Sequence, residues 1–452
     1  MPGDPPPSSG DSAGGDGDWW APLFGTDELA AATGGRAWVR AMLDAEVALA
    51  HASAEAGVVP ADAATEIERG AGSIAIDPLD LARRARASGN PVIPLVATLR
   101  RELPERGATW LHFGATSQDV LDTAAMLVAD RASGLVDRDL QRLADACAGL
   151  AATHRGTLML ARTLLQPALP TTFGAKAAGW LLGVIDARRL LGEATGRLAV
   201  SLGGAAGTLA AFGEQGPAVV AALAQRLGLA EPLLPWHTAR QRVAALAGAL
   251  ATVAGTAAKV TGDVALLMQA EVAEAAEPAP GGSSTLPHKR NPVAATLTAA
   301  AARHAAGLVG VLIGSVVAEH ERPAGAWHAE WAPLSDLLAL AGGAAAHAAE
   351  VVGGLAVDPA AMRANLDRVG PTLLSERIVL TLTPRLGRDA AGAVVSGAAA
   401  AADFAAALAA DPRSGLTPEE LAGLLDPGGY LGATDLWVDR ALAAHRGELQ
   451  WP

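Results

Sequence analysis

A chain of 452 residues is long enough for two or three domains and an ample buried core. Hydrophobic residues make up 51% but aromatics only 4%, so the interior has to be built from Ala, Leu and Val, a mixture that favours closely packed helices over sheets. With 34 Lys and Arg against 47 Asp and Glu the formal net charge is −13, which argues against nucleic acid or an anionic membrane as partner, and any anionic ligand then needs a local cluster of cations.

In chain order, residues 1–18 (MPGDPPPSSGDSAGGDGD) read as a disordered tail rich in Pro, Gly, Ser and Asp. They have no basic start and no apolar run, so no secretory signal is expected and the protein reads as cytoplasmic. Residues 19–111 read as an N-terminal domain of shorter helices separated by turns such as SGNPVIPL at 88–95. A central long-helix bundle is expected over 112–355. It opens with HFGATSQDVLDTA, where Thr116 and Asp119 three residues later form a helix N-cap pattern. The hydroxyls of Thr116 and Ser117, with the free N–H groups of a helix start, suit a carboxylate. Val136, Leu140, Leu143, Cys147 and Leu150 then mark one helical stripe. Cys147, the single cysteine, lies on it, so it excludes an intrachain disulfide framework and is expected buried and inert.

The segment ARTLLQPALPTTFG (161–174) is followed by a helix from about Ala175 to Ala199, ended by the glycines of SLGGAAGTL. PWHT, with His237, stands just ahead of the clearest periodicity in the chain. Val243, Leu246, Leu250, Val253, Ala257, Val260, Val264 and Leu267 alternate steps of three and four, a seam long enough to pack against other subunits. The apolar stretches are broken by charges, so no membrane span is expected, and no Walker loop or strand-plus-GxGxxG unit is present. Residues 281–292, GGSSTLPHKRNP, form a mobile loop that can close over an anion, exclude water and present a hydroxyl. A C-terminal helical domain, 356–452, has breaks at Gly370-Pro371, Asp411-Pro412 and Asp426-Pro427.

The loop at 281–292, the segment at 112–124 and the segment at 161–174 resemble, in this order, the signature regions of the fumarase/aspartase superfamily. The resemblance implies an all-α, three-domain subunit, a homotetramer through the central helices, and active sites where signature regions of different subunits converge. It implies Ser283 as the catalytic base, Lys289 and Asn291 stabilising an aci-carboxylate, and Arg162, Thr163 and Gln166 in matching substrate-binding places. His112 and His237 are further catalytic candidates. Arg162, Arg242, Lys289 and Arg322, from separate segments, are the candidate cations for substrate carboxylates.

Departures from the superfamily pattern narrow the branch. Lyases usually carry a histidine where Leu164 stands and a glutamate where Thr296 stands; both are missing here. ERPAGAWHAEW at 321–331 keeps Glu321, Arg322 and Glu330 but lacks the hydroxyls and arginine with which adenylosuccinate lyases grip a nucleotide phosphate. The whole set is most similar to the cycloisomerase branch, which acts in aromatic degradation. In that branch one carboxylate of a tricarboxylate adds across a double bond of the same molecule. Its chemistry calls for no metal and no organic cofactor. Another lyase activity, or a structural protein on the same scaffold, are the alternatives.

Overall fold

The computed structural model describes residues 19–449, so the tail expected at 1–18 lies outside the described residues. Its centre is a bundle of long helices: α1 (Gly35–Glu55), α2 (Ser117–Thr153), α3 (Phe173–Thr195), α4 (Gln241–Leu267), α5 (Val293–Gly314) and α6 (Ala326–Gly353). Helix α2 packs against α1, α3 and α6, while α4 lies among α3, α5 and α6. The small side chains that dominate the composition let these helices approach closely. At Gly343 of α6 an added Cβ would stand 1.7 Å from the Phe24 carbonyl oxygen, so only glycine admits that crossing.

Helix α2 starts where the Thr116–Asp119 pattern places it. The Asp119 carboxylate reaches back to accept from the Thr116 N–H at 2.9 Å, closing a capping box. From Gln118 to Ala129 every residue is buried, so the first three turns lie wholly inside the protein. Cys147 is buried further along, and burial pushes its thiol up to about 12, leaving it an inert core residue.

Two findings differ from the sequence reading. First, where the all-α reading placed no strand, the segment 158–172 is a β-hairpin, with β1 (Leu158–Thr163) antiparallel to β2 (Gln166–Thr172). Its turn is formed by Leu164 and Leu165, both at positive φ. Leucine lacks the usual glycine or asparagine turn signature, which is why the sequence conceals it. Second, the seam on α4 is filled by the chain's own helices: Val243, Leu246, Leu250, Val253, Ala257, Val260, Val264 and Leu267 are all buried within one subunit. That seam is therefore intrachain core, and any subunit contact has to use another face. The exposed apolar face belongs to α5 and its C-terminal extension, where Val311, Ile313 and Val317 are open. Both α4 and α5 are long and apolar enough to cross a membrane by length and composition alone. In this fold α4 lies inside the bundle, while α5 packs on α4 and α6 with its other face open.

Beyond the bundle, α7 (Pro359–Val369) packs on β1. A separate small core follows, built from Ile378, Leu382, Val394, Val395, Phe404, Leu408 and Leu421. The last helix, α8 (Thr434–His445), returns to pack on α2 and α3, and its Val438 and Ala441 join the main core.

Candidate functional site

A dense group of buried polar side chains lies at the N-terminal end of α2. Asp119 is 2% exposed, and its carboxylate accepts from the N–H groups of Thr116, Gly203 and Gly204 at 2.9, 2.8 and 2.9 Å and from His237 Nε2 at 2.6 Å. A carboxylate can only accept, so His237 carries its proton on Nε2. Its Nδ1 is buried without a partner.

One turn further on, Asp122 and Glu330 hold Arg240 between them. Arg240 Nη1 and Nη2 donate to Asp122 at 2.7 and 3.0 Å, while Nε and Nη2 donate to Glu330 at 3.1 and 2.5 Å. Burial opposes the charge on this guanidinium, but the two carboxylates outweigh it and raise its pKa, so Arg240 stays charged. Trp327 Nε1 donates to Asp122 at 3.0 Å, and the Trp236 ring lies 4.7 Å from the guanidinium.

Gln118 connects the two clusters. Its Nε2 donates to the His237 carbonyl at 2.8 Å and to Asp122 at 3.2 Å, and its Oε1 accepts from Arg322 Nε at 3.0 Å. On the other side, His112 sits at φ 62, an uncommon backbone for a residue with a Cβ. Its Nδ1 meets the buried Glu46 carboxylate at 2.6 Å. Burial lowers the His112 pKa, but the Glu46 charge and hydrogen bond, helped by Asp119, outweigh it and raise the value above the ordinary one. Gly114, at φ 70, leaves the space that the Phe212 ring occupies. The strained turn 112–114 thus fixes how His112 faces the helix start.

The loop at 281–292 stands apart from this cluster. Gly281 and Asn291 exchange backbone hydrogen bonds at 2.9 and 2.7 Å, closing the loop's base. Asn291 Nδ2 adds a bond to the Gly282 carbonyl at 3.2 Å. Within the loop, the N–H groups of Thr285 and Leu286 donate to Ser283 Oγ at 3.3 and 3.1 Å, a small nest that would lower the cost of a serine anion. Lys289 is exposed. Among the described residues, Lys289 and Arg322 have no carboxylate within ion-pair distance.

The other expected cations are already engaged. Arg162 makes a two-pronged pair with the fully buried Glu274 carboxylate at 2.9 and 2.7 Å, which also accepts from Asn365 of α7. Its charge anchors the hairpin, so within one subunit it is not free for substrate. Arg242 lies 4.5 Å from the Trp236 ring and donates to the Arg197 carbonyl at 3.0 Å. Burial, then Arg197 and Arg240, lower its pKa. Thr163 and Gln166 face each other across the exposed hairpin end. The structure therefore brings together His112, Thr116, Ser117, His237 and Arg322. It leaves the loop residues Ser283, Lys289 and Asn291 and the hairpin residues Arg162, Thr163 and Gln166 in separate places. Among the described residues no hydrogen bond or ion pair joins the three segments.

Sequence reasoning missed Gln118, Asp122, Arg240 and Glu46, and gave Glu330 only as a residue kept in the 321–331 segment. One signal was present: stepping back three residues from Val243 puts Arg240 on the buried seam of α4, whereas Arg242 falls beside it. Among the described residues no group of His, Cys, Asp and Glu is placed to hold a metal ion.

Two family models match the chain, one described as Lyase over residues 24–307 and one as Adenylosuccinate lyase C-terminus over residues 371–441. The chain is 43% identical to a 3-carboxy-cis,cis-muconate cycloisomerase of Bradyrhizobium diazoefficiens, over 93% of this chain and 97% of that protein. It is 45% identical to a nitrosuccinate lyase of Streptomyces davaonensis, over 93% and 94%. The solved structure of 3-carboxy-cis,cis-muconate lactonizing enzyme from Pseudomonas putida superposes with a TM-score of 0.89 at 38% identity, covering 96% of this chain and 100% of that one.

Proposed function

The chain belongs to the lyase family of the fumarase/aspartase superfamily, and on that premise we propose that it is a 3-carboxy-cis,cis-muconate cycloisomerase of aromatic-acid breakdown. What carries the reading is full-length similarity, in sequence and in structure, to enzymes of that activity. The arrangement of charge supports it. Most interior arginines are neutralised, while Arg322 and Lys289 keep unspent charge for a substrate with several carboxylates. Within the segment 321–331, which would grip phosphate in a nucleotide lyase, Trp327 and Glu330 are each 3% exposed and committed to Asp122 and Arg240.

In the lactone-forming direction a carboxylate oxygen of the substrate bonds to one carbon of a double bond. The electron pair moves onto the adjacent carbon and its carboxylate, and Ser283 delivers a proton there. The Ser283 anion left behind is held by the N–H groups of Thr285 and Leu286. Lys289, Asn291 and Arg322, with Thr116 and Ser117 at the start of α2, hold the carboxylates; His112 and His237 line the same end. The enzyme works as a cytoplasmic homotetramer whose sites draw their signature segments from several subunits. Two features support assembly: the three segments are separate in one chain, and Leu164 and Leu165, 97% and 71% exposed, crown a strained hairpin that only a partner surface would cover.

A second reading, elimination from a substituted succinate, is favoured by the identity to nitrosuccinate lyase. One experiment separates the two. The purified protein is given 3-carboxy-cis,cis-muconate, with loss of the diene's ultraviolet absorbance as readout, and nitrosuccinate, with nitrite release as readout. Rapid diene loss without nitrite release is the expected result. Nitrite release alone would assign the chain to the second reading.

A further inference from the structure

We propose that Gln118 is the residue that positions Arg322 toward a substrate carboxylate while leaving its charge unspent. The nature of that ligand rests on the cycloisomerase reading; the role of Gln118 rests on its own geometry. Gln118 is wholly buried in the first turn of α2. Its amide has one possible orientation, because both groups facing its nitrogen, the His237 carbonyl and the Asp122 carboxylate, can only accept. The oxygen is therefore turned to Arg322, where it takes the Nε–H at 3.0 Å.

Two other arginines that reach the interior are oriented by carboxylates. Arg240 is held by Asp122 and Glu330, and the partly buried Arg162 by Glu274. Arg322 is oriented by a neutral amide instead. Its Nη2 is sealed from solvent and has no partner in the protein. An unpaired guanidinium edge in such a place is costly unless an anion completes it. A neutral side chain at 118 aims the cation without discharging it, so a carboxylate that reaches the half-buried Arg322 side chain meets a guanidinium that is already oriented. A glutamate at 118 would neutralise Arg322 and crowd Asp122; an aliphatic residue would leave the guanidinium free to turn away.

The test uses calorimetric binding of tricarballylate, a saturated tricarboxylate that cannot react, to the assembled protein. Gln118→Met should weaken binding about 10- to 100-fold and raise KM in parallel, with kcat at saturation changed much less. Arg322→Ala should weaken binding at least as much. In the Arg322→Ala background Gln118→Met should add no further loss, which a merely structural defect would add. Gln118→Asn, a smaller change that retracts the amide by one carbon, serves as the second variant, and melting curves check that each protein is folded. Unchanged binding in folded Gln118→Met or Gln118→Asn overturns the proposal, as does full additivity with Arg322→Ala. A wild-type protein that binds no tricarboxylate would instead bring down the substrate reading, and this proposal with it.

Discussion

The start of α2 and the loop at 281–292 are both dense in polar groups, and they treat those groups in opposite ways. At the start of α2, Asp119, Asp122, Arg240, Glu330 and Gln118 are buried and bonded to one another, and each has its geometry fixed by several partners. In the loop, Lys289 is exposed, and Ser283 is held only by the N–H groups of its own turn. The first region is rigid because breaking any bond there strands a charge in a dry interior. The second is loose because water can replace each bond it makes. On the proposed function, one half of the site is built before substrate arrives and the other half is free to close on it. Stability should reside in the first half and proton transfer in the second.

The largest effect expected is on turnover. Ser283→Ala should lower kcat by about 10²- to 10⁴-fold, the range for removing a proton-transfer group. Melting temperature should stay unchanged, because the loop contributes nothing to the core. A variant with near wild-type kcat would move proton transfer to the rigid half, to His112 or His237. The mirror experiment is Arg240→Met. Removing the cation leaves Asp122 and Glu330 buried side by side, so unfolding free energy should fall by about 3–5 kcal/mol. Chemical denaturation measures this. A loss near zero would show that the network is not the rigid element described here.

A smaller and pH-dependent effect is expected at His112, which joins the rigid region to the strained turn. Its pKa is raised in the folded protein, so folding holds its proton more tightly than the unfolded chain does. The stability from this group is therefore full below its unfolded value and is lost as pH climbs through the folded one. The gap between the denaturation midpoints of wild type and His112→Gln should be widest below the ordinary histidine value and narrow as pH rises above it. A difference that grows with rising pH would mean that the Glu46 contact does not favour the charged ring.

Much of this division was legible in the sequence. The apolar periodicity of α4 and the stripe on α2 placed the bundle, and the Thr116–Asp119 spacing placed the start of α2 to the residue. Loop composition marked 281–292 as a mobile loop, and the structure has an exposed loop there, closed at its base by Gly281 and Asn291. The rigid half was mostly hidden, because its residues are charged and yet interior. Arg240 and Arg242 look alike in PWHTARQRV, and only the fold shows Arg240 turned inward onto Asp122 and Glu330. Glu46 lies far from His112 in the chain, and no local pattern ties them. The hairpin was hidden for a different reason: its turn is made by two leucines in a left-handed backbone. Propensity alone does not place leucine there.

That turn supplies the last and smallest prediction. The resemblance to the superfamily sets a histidine and a glutamate, usual in its lyases, against Leu164 and Thr296 of this chain. Leu164 is 97% exposed at the hairpin tip with φ 51, and Thr296 Oγ1 is occupied by the Pro292 carbonyl at 2.8 Å on the first turn of α5. Neither position supports the rigid half or the Ser283 nest. Leu164→His with Thr296→Glu should therefore fold well, since histidine tolerates a left-handed backbone better than leucine does. If cyclisation needs no such pair, kcat for lactone formation should stay within about threefold of wild type. A large gain in lactone formation would show that proton transfer had been waiting for the missing pair, and that the serine loop is not the active half. A gain confined to nitrite release from nitrosuccinate would show instead that the tip sets which leaving group departs, and would locate the choice between cyclisation and elimination in the hairpin.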